Sequence, residues 1–307
     1  MSKYLGIDTS NYRTSVCLLD EAGCIEFERR QLLYVPQGKL GLRQQEAVFQ
    51  HLKSLGAILE ELGPLFDTRF GVTDKPRPVE GSYMPCFLVG ESFTRALAAG
   101  QGYLCLSHQE NHIWAGLSEN PDLIKKPFIA GHISGGTTEF VLVSWENKML
   151  KIKELGGTTD ISAGQFLDRV GVAMGLPFPA GVYLEEMAKP SELRLGVKVI
   201  ESSLSYSGPE TKAKELIQKG IDGRYIAYAA FLAVAKSVGR VLTNLIAATK
   251  VTDVLLVGGV MANGIIRERL KQDLHHSSLA KLCFASPKAS GDNALGVATA
   301  IYWGENS

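Results

Sequence analysis

Charge of one sign is missing from this chain. Lysine and arginine total 32 and so do aspartate and glutamate, over 307 residues. No global field therefore draws it to nucleic acid or to a membrane surface, and any contact with RNA requires a local basic patch. Cysteine is scarce. The five present (Cys17, Cys24, Cys86, Cys105, Cys283) share no short repeated spacing, and an odd, patternless set argues against a disulfide framework and for a reducing cytoplasm. The N-terminus runs into strand-like Tyr4 to Ile7 with no apolar signal-peptide core or cleavage site. The Ala-rich run from Ile226 to Ala248 carries Lys236 and Arg240 on one face, which predicts a buried amphipathic helix rather than a membrane span.

Several catalytic fingerprints are also lacking. There is no Gly-Lys-Ser/Thr phosphate loop, no Gly-x-Gly-x-x-Gly, no Gly-x-Ser-x-Gly elbow, and nothing that marks a cysteine as a nucleophile. Two histidines do stand one helical turn apart, in Ser107-His108-Gln109-Glu110-Asn111-His112. Positions i and i+4 share a helix face, so both imidazoles can point at one ion. A zincin helix carries its glutamate next to the first histidine, whereas Glu110 is the second residue after His108, so a protease is disfavoured. Two histidines on a solvent-exposed face are commoner than a two-ligand metal site, and a third ligand would tip the balance. The candidate is Asp292 in Ser290-Gly291-Asp292-Asn293, at the start of the last predicted helix.

Three glycine-rich turns surround the pair in sequence: Gly6-Ile7-Asp8-Thr9-Ser10, Ile133-Ser134-Gly135-Gly136-Thr137, and Val257-Gly258-Gly259-Val260-Met261-Ala262-Asn263. Backbone N–H groups at Gly135 and Gly136 can approach a phosphate without a Cβ in the way, and Ser134 and Thr137 add hydroxyls. Taken alone, that turn reads better as a tight hairpin needing positive φ. Asn263 either contacts a base or phosphate or caps the helix after it. Asp168 and Glu185, flanking the turn Gly175 to Gly181, suit paired ribose hydroxyls, or else lie on solvated helix faces. Asp8 and Arg13 stand as the candidate catalytic side chains.

Alternation through Tyr4 to Asp20, a turn at Glu21-Ala22-Gly23 and a second run from Cys24 to Leu33 predict a strand hairpin. Helices are expected from about Arg43 to Leu62 and from Phe87 to Ala99, with a loop through Val72 to Ser82 and a short strand Tyr103 to Leu106 before the histidine helix. The pattern of strand, glycine turn and strand recurs after Lys125-Lys126-Pro127, followed by a third strand around Lys151-Ile152-Lys153. A long helix from Tyr225 to Lys250, a strand from Val254 to Val257 and a helix from Asn293 to about Trp303 complete the chain. Two halves of like organisation predict a duplicated α/β fold. Their expected bounds are 1–126 and 127–293, with 294–307 packing back onto the first.

In this order, these elements resemble the TsaD family of tRNA threonylcarbamoyladenosine synthases, also called Gcp. The resemblance runs from Tyr4 nearly to the C-terminus. It is carried most specifically by the His-x-x-x-His helix, Val257 to Asn263, Asp168 to Gly181, Ser205-Tyr206-Ser207-Gly208 and Asp292-Asn293. It implies duplicated RNase H-like domains of the actin/hexokinase-like kind, with ATP or an adenylate held in a cleft between them. It implies that His108, His112 and Asp292 bind one divalent metal, Fe2+ or Zn2+, that contacts the phosphate or carbamoyl end. Two imidazoles and a carboxylate with open positions suit either ion. The implied nucleotide contacts are Ser134, Gly135, Gly136 and Thr137 for phosphate, Asp168, Gly181 and Glu185 around the nucleoside, and Asn263 nearby. Asp292 would come from the end of the second domain, so that the metal ties the halves together. The implied reaction moves a threonylcarbamoyl group from its adenylate to an adenosine of tRNA, within a homodimer or a heteromer with a subunit of related fold.

The chain departs from the family at Asn11-Tyr12-Arg13-Thr14, where Cys-Asp-Glu-Thr is usual. Two acidic side chains near the transferred group have become neutral and cationic. Arg13 can instead bind a carboxylate or phosphate bidentately, which suggests an altered donor or acceptor. Thr137, Glu139 and Ala180 replace the family's usual His or Asn, Gln and Gly. The alternatives are a divergent paralogue with a small-molecule acceptor or nucleotide hydrolysis, and a non-catalytic partner subunit of the same fold. The presence of His108, His112 and Asp292 argues against the second.

Overall fold

The computed structural model describes residues 2–10, 12–35, 42–146, 148–275 and 280–306; Asn11 lies outside them. The chain begins as a meander of β1 (Lys3–Asp8), β2 (Arg13–Leu19) and β3 (Ile25–Leu32), each antiparallel to the next. The alternating stretch from Tyr4 to Asp20 is therefore two strands, broken after Asp8. Then come α1 (Gln44–Leu62), β4 (Thr68–Lys75), α2 (Phe87–Ala98), β5 (Leu104–Ser107) and α3 (His108–Glu119). The segment read as a loop from Val72 begins inside β4, which pairs in parallel with β1 on one side and β5 on the other. Leu5, Ile7, Val16 and Val72 meet Leu55 and Ile58 of α1 and Val89 of α2 in one buried cluster. Each such side chain stabilises the fold by roughly 1.5–3 kcal/mol.

The second series is β6 (Phe128–Ile133), β7 (Thr138–Glu146), β8 (Met149–Thr158), α4 (Ala163–Ala173), α5 (Gly181–Met187), β9 (Lys198–Ile200), β10 (Ser203–Ser205), α6 (Ser207–Gln218), α7 (Gly223–Thr249), β11 (Asp253–Val257), α8 (Gly264–His275) and β12 (Lys281–Phe284). The short α9 (Pro287–Ser290) and α10 (Leu295–Asn306) end the chain. Strand order in the first sheet is β3-β2-β1-β4-β5, and the second contains β12-β11-β6-β7-β8 with β10 and β9 added beyond β8. Both sheets pair their first two strands antiparallel and then run two parallel strands off the first. The duplication is thus present strand for strand. Among the described residues α7 is the one helix long and apolar enough to cross a membrane; its buried residues line the core of the second sheet, and Lys236 and Arg240 are exposed.

Two compact units result. The first comprises Met1–Ile124, Trp145–Lys151 and Lys288–Ser307, the second Lys125–Ser144 and Ile152–Pro287. In the first, α10 lies against β1 and β4 because glycine leaves room for it. A Cβ at Gly6 would fall 2.4 Å from the Ala294 carbonyl oxygen, and one at Gly71 2.8 Å from Val297 Cγ1. Asp292 belongs to this unit with both histidines, so the three candidate ligands do not join two halves as the resemblance implied.

Candidate metal and nucleotide sites

The first turn of α3 is fixed by a reciprocal cap. The Glu110 N–H donates to Ser107 Oγ, and Glu110 Oε2 accepts from both the Ser107 N–H and its hydroxyl, each at 2.7 Å. Glu110 is thus committed to the helix end, in accord with its wrong spacing for a zincin base. One turn apart on the buried face, His108 Nε2 and His112 Nε2 approach to 3.0 Å, and each lies 3.5 Å from Asp292 Oδ1.

Asp292 is held there by packing of α3 on α10. Asn111, between the histidines, donates from Nδ2 to the Asn293 carbonyl, and its Oδ1 accepts the Val297 N–H at 2.9 Å. Asn293 in turn caps α10, accepting the Leu295 N–H at 2.9 Å. Gly296 makes the approach possible, since a Cβ there would sit 1.9 Å from the Asn111 carbonyl oxygen.

The trio fits a metal. Bonds of about 2.0–2.2 Å at angles between square and tetrahedral separate ligand atoms by roughly 3.0–3.5 Å, which is the spacing observed. The support behind it fits as well. Asp8, fully buried, faces His108 Nδ1 at 3.4 Å while accepting from Ser10 Oγ at 2.8 Å and Thr73 Oγ1 at 2.5 Å. A carboxylate on Nδ1 fixes the tautomer that leaves the Nε2 lone pair for an ion. Burial opposes protonation of His108, but the carboxylates of Asp8 and Asp292 outweigh it and lift this imidazole to about 10 without a metal. Burial and the neighbouring His108 charge push His112 down. Burial works against the Asp292 carboxylate, yet its hydrogen bonds to both histidines hold it well below the usual range. Asp8 therefore backs the candidate ligand His108, and Arg13, at the start of β2, points Nη1 to within 3.4 Å of the Asp292 main-chain oxygen.

The nucleotide candidates lie in the second unit, tied together by a chain of contacts. The turn between β6 and β7 closes with Ser134 N–H to Thr137 O at 2.8 Å, and the Thr137 N–H donates to Ser134 Oγ. Gly135 and Gly136 have no positive φ, so tight-hairpin strain does not call for them. A Cβ at Gly135, Gly136 or Gly181 would meet no atom within 4 Å among the described residues. Internal packing does not require these glycines, and what their missing side chains leave is open space. The start of α4 presses on this turn: a Cβ at Gly164 would lie 2.5 Å from Gly135 Cα, and Ser162 Oγ donates to the Gly135 carbonyl at 2.6 Å.

From α4, Asp168 accepts the Ala180 N–H at 2.7 Å, and burial pushes its carboxyl up against the pull of the Ala180 and Gly181 N–H groups. Ala180 is accommodated because Gly171 offers no side chain opposite it. Glu185 accepts the Gly264 N–H at 2.7 Å. Asn263 Oδ1 caps α8 through the Ile266 N–H at 2.9 Å, while its Nδ2, buried, has no partner among the described residues. Cap and ligand contact are thus open to the same side chain. Sequence reasoning missed Asp8 as a support, Asn111, Gly164 and the cap at Ser162; of these, only Ser162-x-x-Gln165 carried a local signal.

Duplicated sheets of this order are those of the actin/hexokinase-like fold, and solved structures share it. Component A of (R)-2-hydroxyglutaryl-CoA dehydratase from Acidaminococcus fermentans superposes with a TM-score of 0.61 at 17% identity, covering 98% of both chains. A ROK family glucokinase from Streptomyces griseus, in complex with glucose and AMPPNP, gives 0.54 at 12% identity over 96% of this chain and 98% of its own. The TsaD model, tRNA N6-adenosine threonylcarbamoyltransferase, matches residues 69–299, and the chain belongs to that family. The enzyme of that name from Desulfitobacterium hafniense is 28% identical over 97% of this chain and 91% of its own length. That from Syntrophomonas wolfei is 32% identical over 76% and 69%.

Proposed function

We propose that the protein transfers a threonylcarbamoyl group from its adenylate to N6 of an adenosine in tRNA. The observation that carries this is the His108–His112–Asp292 trio, two buried imidazoles and a half-buried carboxylate converging on one point and braced by Asp8, in a chain of this family. His108 and His112 through Nε2 and Asp292 through its carboxylate would hold a divalent ion, with Fe2+ and Zn2+ both suited to the set. Such an ion supplies Lewis-acid polarisation of a carbonyl or phosphoryl oxygen.

The remaining work falls to the chain itself. Asp8 keeps His108 in one tautomer, and Asn111 holds the Asp292 segment in place. In the second unit the unobstructed backbone at Gly135 and Gly136 and the Nδ2 of Asn263, without a partner among the described residues, suit the phosphate and nucleoside of an adenylate. In the transfer, adenosine N6 attacks the carbamoyl carbon and the carbon–oxygen bond to phosphate breaks. AMP leaves with that electron pair, and one proton departs from N6. The amine needs positioning more than a covalent enzyme intermediate.

The test is conversion of tRNA adenosine to its threonylcarbamoyl derivative by the purified protein supplied with the adenylate, read by nucleoside mass analysis. Product that forms with wild type and is lost with His112→Ala supports the reading. Slow ATP hydrolysis without product would instead favour a paralogue with another acceptor.

A further inference from the structure

Arg13 is half-buried, and among the described residues its side chain makes one polar contact, the 3.4 Å approach of Nη1 to the Asp292 carbonyl. That distance is at the weak end for a hydrogen bond, so the guanidinium keeps nearly all of its donors. Among the described residues no carboxylate pairs with it. Nor, among these residues, is any other lysine or arginine bonded to Asp8, His108 or Asp292. With a divalent ion on two neutral imidazoles, the carboxylates of Asp8 and Asp292 offset the ion's charge, and Arg13 is the positive charge left over. A partly desolvated cation beside a ligand site calls for an anion. Its planar fork matches a carboxylate through two parallel N–H bonds.

We infer that Arg13 is a specificity-determining residue that binds the amino-acid carboxylate of the transferred group beside the histidine pair. This rests on the proposed function, whose threonylcarbamoyl group carries such a carboxylate. A phosphate presents similar oxygens, but the second unit has its own open glycine turn for that chemistry.

The test uses the Zn2+-loaded full chain and calorimetric titration with N-carbamoyl-L-threonine, its neutral carboxamide and inorganic phosphate. Wild type is expected to prefer the carboxylate over the amide by about tenfold or more. Arg13→Gln should abolish that preference, and Arg13→Lys, which keeps the charge but not the fork, should restore part of it. Zinc stoichiometry and melting temperature of each variant separate loss of the subsite from loss of fold or metal. Absence of carboxylate binding by wild type, or a preference untouched by Arg13→Gln, overturns the inference. So does an Arg13-dependent affinity confined to phosphate. A carboxylate preference that depends on Arg13 in a protein inactive on tRNA would sink the functional reading and leave the subsite standing.

Discussion

His108 depends on the nitrogen it does not offer to an ion. Nδ1 faces Asp8 at 3.4 Å, and removing such a carboxylate typically weakens metal binding about 10–100-fold. Asp8→Ala should show that loss in competition with a chelating dye, and an unchanged affinity would remove Asp8 from the site. Gly136 separates ligand space from packing. Because its Cβ would meet nothing, Gly136→Ala should change folding stability by no more than about 0.5 kcal/mol while weakening adenylate binding; undiminished binding would make the glycine incidental. At this scale the histidine pair is legible in the sequence, since helical period alone puts i and i+4 on one face. The Asp8–His108 contact is not, because only the parallel pairing of β1, β4 and β5 brings those residues together.

At the scale of elements, the trio depends on how closely α3 and α10 pack. Gly296→Ala would set a Cβ 1.9 Å from the Asn111 carbonyl, and overpacking of this kind costs about 1–3 kcal/mol. Denaturant titration should show that loss together with weaker metal binding, because Asp292 rides on the same segment. A loss of stability without a loss of metal would uncouple the two. Some elements were readable. The spacing of His108 and His112 and the apolar spacing of α1 are local signals. β4 was not, because the run from Val72 to Ser82 read as a loop, and Gly71 shows its use only once α10 is known to lie against it. The Gly6-to-Ser10 turn likewise hid the break between β1 and β2, since both strands alternate in the same way.

Across the whole molecule, the repeated sequence of strand, glycine turn and strand foretold the duplication. The placement of Asp292 was not foretold, because the return to the first unit was expected only from 294, whereas it begins at Lys288. Protonation of the trio gives a global signature. His108 is raised from an ordinary value near 6.5 to about 10 in the metal-free protein, so its contribution to stability is complete below about pH 6.5 and fades as pH rises toward 10. His112 is lowered, so its contribution fades on the acid side instead. A metal requires neutral imidazoles, so the rise in melting temperature on adding Zn2+ should grow from pH 6 to pH 9. A rise that shrinks over that range would contradict binding through these two rings.

The most direct test of the account is metal content. Elemental analysis of the purified chain should find about one Fe or Zn per protein, and His112→Ala and Asp292→Asn, confirmed as folded by melting, should retain little of it. A wild-type chain that takes up no divalent ion, or variants that keep their full complement, would contradict a metal centre at His108, His112 and Asp292.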